Sequence, residues 1–391
     1  MKQIFLFFLF ISLTFVQVDS ILQVEEYEPK STVQVDSVLQ VEEYDPKSTL
    51  VVPEHIVNKA KYPFVDVHSH QWDMSKENLR KLINDMDKMN MAVMVNLSGR
   101  GFVRLPDGKF GLQESEYMYN SIKTAEENFP GRFVIFTNVD FNNINDPDWA
   151  ERTVKQLEED VKQGAQGLKI YKNLGMDLKD SSGNRVPVDD QRIDPVWEKC
   201  AELGIPVLIH TADPAPFWQP WDRHNERWFE LKERPERKRD PEKYPPWEQL
   251  INEQHNLFRK HSNTIFINAH LGWFGNDLAT LGKLLDELPN VFTEIGAVLA
   301  ELGRQPGFAR EWMIKYQDRV LFGKDSWNPE EYHVYFRVLE TEDEYFDYYR
   351  KRHAFWKMYG LNLPDEVLKK LYYKNALKIL PNINENLFPN D

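Results

Sequence analysis

From residue 60 onward, short apolar runs alternate with amphipathic stretches. An apolar run of about four to seven residues, rich in Val, Ile and Phe, is typical of a buried strand. Eight such runs predict strands at 64–67, 92–97, 132–138, 167–171, 205–210, 264–270, 291–294 and 319–323. A helical stretch follows each run, and this alternation indicates a parallel α/β fold.

The amphipathic stretches have apolar residues three and four positions apart, which predicts helices. They lie near 75–89, 113–129, 147–163, 190–203, 247–261, 276–287, 298–316 and 329–340. Eight strand–helix units over about 260 residues are the usual size of a (β/α)₈ TIM barrel. We therefore predict such a barrel in residues 60–391, with a C-terminal extension of helices near 343–359 and 364–380.

The first 20 residues resemble an export signal. Met1 and Lys2 precede an apolar run from Ile4 to Val16, and the small residue Ser20 follows. This pattern is typical of a cleavable signal peptide, and the run is too short for a comfortable membrane span. We expect an exported protein, periplasmic or secreted.

Residues 21–59 contain most of a segment that occurs twice in succession. The 17-residue segment 16–32 recurs almost unchanged as 33–49. Two copies are too few for a repeat architecture, and the segment is acidic with little apolar surface to bury. We interpret 21–59 as an extended linker.

The composition of the chain restricts the kinds of molecule that it is expected to bind. The net charge of −14 without a basic block argues against nucleic acid. The single Cys200 excludes an intramolecular disulfide and a Cys-rich zinc module. The chain has 11 Trp, and exposed aromatic rings often face ligands, including sugars. We expect a small-molecule substrate, with carboxylates and sugar-derived compounds as candidates; a homodimer is an open alternative to a monomer.

Side chains of ligand type stand at the ends of five predicted strands. Residues i and i+2 of an extended chain point to the same side, so His68 and His70 can aim at one point. The other strand ends carry Lys169, His210, His270 and Asp325. The C-terminal strand ends form the chemical face of such barrels, so we expect these groups to lie together.

The motifs VDVHSH, GLKIYKNLG, PVLIHTADP, INAHLGW, TEIGAVLAELGRQP and RVLFGKDSW resemble those of the amidohydrolase superfamily, specifically its amidohydrolase-related (ACMSD-like) branch. The resemblance covers about residues 60–380. It implies a divalent metal, usually zinc, held by four ligands: His68, His70, His210 and Asp325. It further implies that His270 is an acid–base or carbonyl-polarising residue.

One motif departs from that family. The family usually has Gly-Thr-Asp on the eighth strand, and this chain has Lys324 before Asp325. Lys324 either weakens metal binding, lowers the basicity of Asp325, or points outward.

The expected chemistry follows from the ligand types. Three imidazoles and a carboxylate suit Zn²⁺, with Mn²⁺ as an alternative, and leave a position for water. The metal would lower the pKa of that water toward about 7. Asp325 would take the proton and deliver it to the leaving group, while His270 polarises a carbonyl. We expect one metal per chain.

Three functions fit these residues. The first is a metal-dependent hydrolase that cleaves an amide, ester or lactone bond. The second is a decarboxylase or hydratase/dehydratase acting on a small carboxylic or sugar acid at the same site. The third is a non-enzymatic binding protein, which has no need of the four implied metal ligands and His270.

Further residues have alternative roles. Lys169 could bridge two metals, contact a substrate anion, or be structural. Glu294 ends the seventh strand and is expected to support the site. Trp218 and Trp221, in the aromatic-rich insertion 211–247, are candidate pocket walls. Arg100 could bind a carboxylate or lie at the surface.

Overall fold

Eight parallel strands form a ring within the residues that the computed structural model describes, namely 40, 43–104, 110–350, 353 and 355–389. The strands are β1 (Phe64–Ser69), β2 (Met91–Asn96), β3 (Phe133–Ile135 with Thr137–Asn138), β4 (Leu168–Ile170), β5 (Val207–Ile209), β6 (Phe266–Asn268), β7 (Val291–Glu294) and β8 (Val320–Leu321). Consecutive strands pair in parallel register. The predicted (β/α)₈ barrel is confirmed.

Backbone hydrogen bonds close the ring between its last and first strands. The Val67 N–H donates to the Phe322 carbonyl at 3.0 Å, and the Asp325 N–H donates to the His68 carbonyl at 2.7 Å. The end of β8 is thereby fixed beside the end of β1. Two strands that are far apart in the sequence thus present their polar ends side by side.

Strand β3 consists of two segments separated by Phe136. The first segment pairs with β2 and the second with β4. The Phe136 N–H donates to Asn96 of β2, and the next N–H, of Thr137, donates to Gly167. A Cβ at position 167 would lie 2.3 Å from the Phe136 ring. Glycine is required there because the buried ring occupies the space of a side chain.

A helix follows each strand on the outside of the ring. The helices are α1 (Lys76–Met89), α2 (Ser115–Asn128), α3 (Trp149–Lys162), α4 (Asp194–Leu203), α5 (Trp247–Lys260), α6 (Leu278–Glu287), α7 (Pro306–Lys315) and α8 (Pro329–Glu340). In α1, Leu79, Leu82, Ile83 and Met86 are buried at spacings of three and four residues. This apolar stripe packs the helix on the barrel, as the periodicity predicted.

Shorter helical segments lie in the loops. They are Asn173–Met176, Gln191–Ile193, Ala215–Phe217, Trp228–Glu233, Pro235–Arg237, Ala269–Trp273, Leu299–Gly303 and Glu385–Leu387. The C-terminal extension is helical over Asp365–Lys369, Lys370–Lys374 and Asn375–Ile379, which confirms the helix expected near 364–380. Among the described residues, no helix combines the length and apolar character that a membrane crossing needs.

Two parts of the fold differ from the sequence prediction. The helix expected near 343–359 is wrong: Phe346–Asp347 pairs antiparallel with Lys357–Met358. Phe346 and Tyr348 are both buried, which is the period-two pattern of a strand, and aromatic residues favour strands. A hairpin of Phe102–Arg104 and Phe110–Leu112 after β2 was not predicted.

The chain divides into two compact units, residues 1–51 and 52–391. In the first unit, the described residues 44–51 contain no helix or strand. The predicted signal peptide and most of the duplicated segment lie outside the described residues. In the second unit, residues 52–59 belong with the barrel, and the His55 N–H donates to Asp343 at 2.8 Å.

Candidate metal centre

Strands β1 and β8 bring two imidazoles and one carboxylate together. His68 Nε2 lies 3.3 Å from Asp325 Oδ1, and His70 Nε2 lies 3.8 Å from the same oxygen. The two imidazole centroids are 5.4 Å apart. The spacing of His68 and His70 thus places both rings on one side, and ring closure supplies the carboxylate.

The buried carboxylate of Glu294, at the end of β7, orients His68. Its Oε1 lies 2.9 Å from His68 Nδ1 and accepts the His270 backbone N–H at 2.6 Å. Burial would raise the pKa of Glu294, but His68 and His270 outweigh it and lower that pKa to about 2. An ionised carboxylate only accepts hydrogen bonds, so His68 Nδ1 donates to it and the ring points its Nε2 atom at Asp325.

A hydroxyl chain orients His70. Its Nδ1 lies 2.7 Å from Ser98 Oγ, which lies 3.1 Å from the Tyr171 hydroxyl. Tyr171 in turn donates to the Leu97 carbonyl at 3.1 Å. Because a carbonyl only accepts, the donors run from His70 through Ser98 and Tyr171 to Leu97. His70 Nε2 is then also an acceptor facing Asp325.

Three atoms of the type that binds metals therefore face one another: His68 Nε2, His70 Nε2 and Asp325 Oδ1. They lie within 4.8 Å of one another, and among the described residues His68 Nε2 has no hydrogen-bond partner. Burial lowers the pKa of His70 to about 3, which keeps the ring neutral. Acceptors that converge repel each other unless a cation lies between them, so this donor set fits a divalent metal.

The carboxylate of this set remains ionised. Burial would raise the pKa of Asp325, but His68, His270 and His70 outweigh it, so the pKa lies below its usual range. A second group of ligand atoms, on His68, His270 and Glu294, also lies within 4.8 Å. Its atoms are already hydrogen-bonded to one another or to the backbone. The group that contains Asp325 is therefore the better metal site.

Strands β5 and β6 bring His210 and His270 together, with ring centroids 4.5 Å apart. Both Nε2 atoms are buried and have no hydrogen-bond partner among the described residues. His270 Nδ1 donates to the Gly296 carbonyl at 2.8 Å, so its Nε2 is an acceptor. Burial lowers the pKa of both histidines and keeps them neutral.

The backbone after β6 is left-handed over four consecutive residues. The φ angles of His270, Leu271, Gly272 and Trp273 are 59°, 53°, 60° and 61°. This conformation costs an L-residue about 1–2 kcal/mol, and such strain is concentrated at functional sites. The turn packs Trp273 against His270, with ring centroids 4.6 Å apart, and against His210 at 5.6 Å.

Lys169, on β4, lies in the same interior. Its side chain is 1% exposed, and among the described residues its Nζ has no hydrogen-bond partner. Burial lowers its pKa to about 8, while Asp325 and Glu294 act in the opposite direction. The ammonium lies 5.5 Å from the centre of the Tyr171 ring. Lys169 is thus a buried cation without a hydrogen-bond or ion-pair partner among the described residues.

Comparison of the sequence with models of protein families identifies the family of this chain. The model of a family described as Amidohydrolase matches residues 119–381. The chain belongs to the amidohydrolase family. It is an enzyme of the amidohydrolase superfamily, in which metal-dependent catalysis is the rule.

Solved structures with the same fold have low sequence identity. An uncharacterised TIM-barrel protein, Bb4693 from Bordetella bronchiseptica, is 13% identical with a TM-score of 0.52, over 81% of this chain and 98% of that one. A putative amidohydrolase from Staphylococcus aureus is 16% identical with a TM-score of 0.51, over 81% and 99%. These similarities show the shared fold. No curated protein matches this amidohydrolase in sequence.

Lys324 points away from the metal-type ligands of this amidohydrolase. Its Nζ donates to the Ser326 carbonyl at 2.6 Å and forms an ion pair with Glu331 of α8. Of the three alternatives that the sequence left open, the outward orientation is nearest to what is found, although the side chain is buried against α8 and does not reach solvent. The lysine joins the end of β8 to α8.

Asp66 is a supporting residue that the sequence analysis missed. It accepts the His68 N–H at 2.9 Å, the Lys324 N–H at 3.2 Å and the Tyr332 hydroxyl at 2.6 Å. Asp66 therefore fixes β1 to β8 and α8. Its position two residues before His68, in an alternating Asp-x-His-x-His pattern, is the signal that could have revealed it.

The three residues expected to line the substrate pocket each donate a hydrogen bond to a backbone carbonyl. Trp218 donates to Pro245 at 2.8 Å and Trp221 donates to Trp228 at 3.2 Å, so both indoles are tied to the insertion. Arg100 donates to the Gln113 carbonyl at 2.8 Å. Their pocket roles stay predictions.

Arg100 also lines a cavity of about 270 Å³ between the end of β3 and α3. The histidines of the metal centre do not line this cavity. The rings near His70 are instead Trp72 and Tyr171, at 6.2 and 5.9 Å between centroids. Both could have been found from the sequence, because each lies two residues after a candidate ligand at a strand end.

Proposed function

We propose that this amidohydrolase is a hydrolase that cleaves an amide, ester or lactone bond with a metal-activated water. The observation that carries the proposal is the convergence of His68 Nε2, His70 Nε2 and Asp325 Oδ1, in which His68 Nε2 has no hydrogen-bond partner among the described residues. The proposed ion is Zn²⁺, with Mn²⁺ as the alternative, one per chain. His210 is the proposed fourth ligand because its Nε2 is buried and has no partner among the described residues.

Bound between these ligands, a divalent metal supplies Lewis acidity and lowers the pKa of a bound water. Asp325 would serve there as the group that holds a proton and passes it to the leaving group, because its carboxylate is ionised and its side chain is 34% exposed.

His270 is proposed as a proton acceptor. Its Nδ1–H is committed to the Gly296 carbonyl, so the neutral ring presents only a lone pair on Nε2. A neutral ring with this tautomer cannot donate a hydrogen bond from Nε2 to a substrate carbonyl. The geometry therefore favours acid–base chemistry over the carbonyl-polarising role that was the other expectation for His270.

A second candidate function uses the same ligands. The protein would decarboxylate a small carboxylic or sugar acid, or add or remove water from it. The buried ammonium of Lys169, which has no partner among the described residues, favours this candidate because it is a suitable counter-charge for a carboxylate.

Metal removal and a substrate panel test the proposal. We expect about one metal per chain by elemental analysis, loss of activity on exhaustive chelation, and recovery with Zn²⁺ or Mn²⁺. The panel would contain lactones, esters, N-acyl compounds and carboxylic acids. Full activity in the chelated protein contradicts the metal role. Decarboxylation or hydration without any hydrolysis would favour the second candidate.

We also propose that the protein is exported to the periplasm or secreted. The support is the sequence of residues 1–20, with a cationic start, an apolar run and a small residue at its end. Mass spectrometry of the protein from its native source should give a mature N-terminus near Ile21. A mature chain that begins at Met1 would refute export by this signal.

A further inference from the structure

We propose that Lys169 is an unmodified ammonium that binds a carboxylate of the substrate, so that the substrate is an organic acid. The inference rests on the proposed function for the location of the reaction. It adds the chemical class of the molecule that reacts there and assigns its recognition to one residue of β4.

The first argument is that Lys169 has no partner of its own. The side chain is 1% exposed, and no hydrogen bond or ion pair reaches its Nζ from the described residues. A buried charge without a partner costs several kcal/mol, and such charges in proteins are almost always paired. A ligand that brings a negative charge into the barrel would provide the missing partner.

Lys172, three residues further along the chain, provides the contrast. Its Nζ lies 2.6 Å from Asp213 Oδ1, and its side chain is 39% exposed. Asp213 also accepts a hydrogen bond from Arg239 at 3.0 Å. The fold therefore pairs the lysine at the rim and leaves the lysine in the interior unpaired among the described residues, next to the histidines.

The second argument is the position of Lys169 in the barrel wall. In the parallel pairing of β4 with β5, its register partner is Leu208, two residues before His210. Residues i and i+2 of a strand point to the same side, so Lys169 and His210 lie on the same side of the wall. A carboxylate bound to Lys169 would therefore lie on the side that carries the proposed metal ligand His210.

The third argument is the surface on which the ammonium lies. It is 5.5 Å from the centre of the Tyr171 ring, a distance at which a cation is attracted to the aromatic face. A negatively charged carbamate on the same lysine would be repelled by that face. The Tyr171 hydroxyl is already committed to Leu97 and Ser98, so it does not compete for the substrate.

Anion binding to the zinc-loaded protein tests the proposal without any assay of turnover. The probes are benzoate with its neutral analogue benzamide, and acetate with acetamide, measured by titration calorimetry. We expect Lys169→Met to weaken binding of the two carboxylates about 10- to 100-fold, the usual contribution of a charge-assisted hydrogen bond. Binding of the amides should stay within about 2-fold, since a neutral group gains no charge-assisted hydrogen bond.

Lys172→Met is the matched control, because it also removes one positive charge. We expect it to leave carboxylate binding within about 2-fold, since its charge is already paired with Asp213. Equal weakening in both variants would overturn the specific contact and indicate a general charge effect. Unchanged carboxylate binding in Lys169→Met would equally overturn it.

Two further measurements address misfolding of the variant and carboxylation of the lysine. Lys169→Gln keeps a polar group at this position and should reproduce the loss if Lys169→Met folds poorly. Wild-type protein in ¹³C-bicarbonate, observed by NMR, should show no lysine carbamate. A carbamate signal with two metals per chain would overturn the unmodified ammonium. Metal-dependent hydrolysis of neutral lactones alone would uphold the proposed function and refute the organic-acid substrate, so the two failures are distinguishable.

Discussion

The two halves of the candidate site are held in different ways. In the β1–β8 half (His68, His70 and Asp325), Glu294 and Ser98 hold the ring Nδ1 atoms, and the free acceptor atoms converge within 4.8 Å. In the β4–β6 half (Lys169, His210 and His270), the buried Nζ and Nε2 atoms have no partner among the described residues. The converging ligand atoms of the first half are suited to hold a cation, with His210 of the second half as the proposed fourth ligand. The ammonium of Lys169 and the imidazole of His270 are suited to bind the substrate and a proton.

The largest effect should come from breaking the β1–β8 half. The double variant His68→Ala/His70→Ala removes two of the three converging ligand atoms. Its metal content should therefore fall from about one per chain to near zero, and nearly all of its activity should be lost. Elemental analysis and circular dichroism together separate metal loss from unfolding. The exposed His224→Ala is the control. Unchanged metal content in the double variant would place the metal elsewhere.

The next effect separates the halves. His270→Ala should keep its metal and its fold and lose on the order of 10²–10⁴-fold in kcat, the usual cost of removing a positioned acid–base group. The measurement is kcat together with metal content. His333→Ala, on α8, is the matched control. If His270→Ala loses the metal as well, His270 is a ligand and the division between the halves does not hold.

The smallest effect tests the link between the halves. Glu294 contacts both His68 Nδ1 and the His270 backbone N–H. Glu294→Gln keeps the volume but loses the charge that fixes the His68 tautomer, so metal affinity should fall about 10- to 100-fold. Competition with a metal chelator gives the affinity. The exposed Glu287→Gln should behave as wild type. Unchanged affinity would show that Glu294 only supports the backbone.

The sequence could predict the parts of the site that depend on local periodicity. The order of the strands and helices followed from apolar runs that alternate with amphipathic stretches. The period-two spacing placed His68 and His70 on one side, and the strand-end positions of His210, His270 and Asp325 followed from the barrel. Where local patterns were ambiguous, as in the aromatic segment 343–359, the prediction of a helix was wrong.

The tertiary structure decided what each of these residues contacts. Glu294 reaches His68 across 226 residues of sequence, and Asp66 reaches Tyr332 across 266. Such pairs join strands and helices that are distant in the sequence, and no local period encodes them. Closure also turned Lys324 toward Glu331 and left Lys169 without a partner among the described residues. The chain by itself determined which side chains stand at the strand ends. Packing determined which of them are neutralised and which remain available to a metal and a substrate, because burial and pairing depend on neighbours from distant strands.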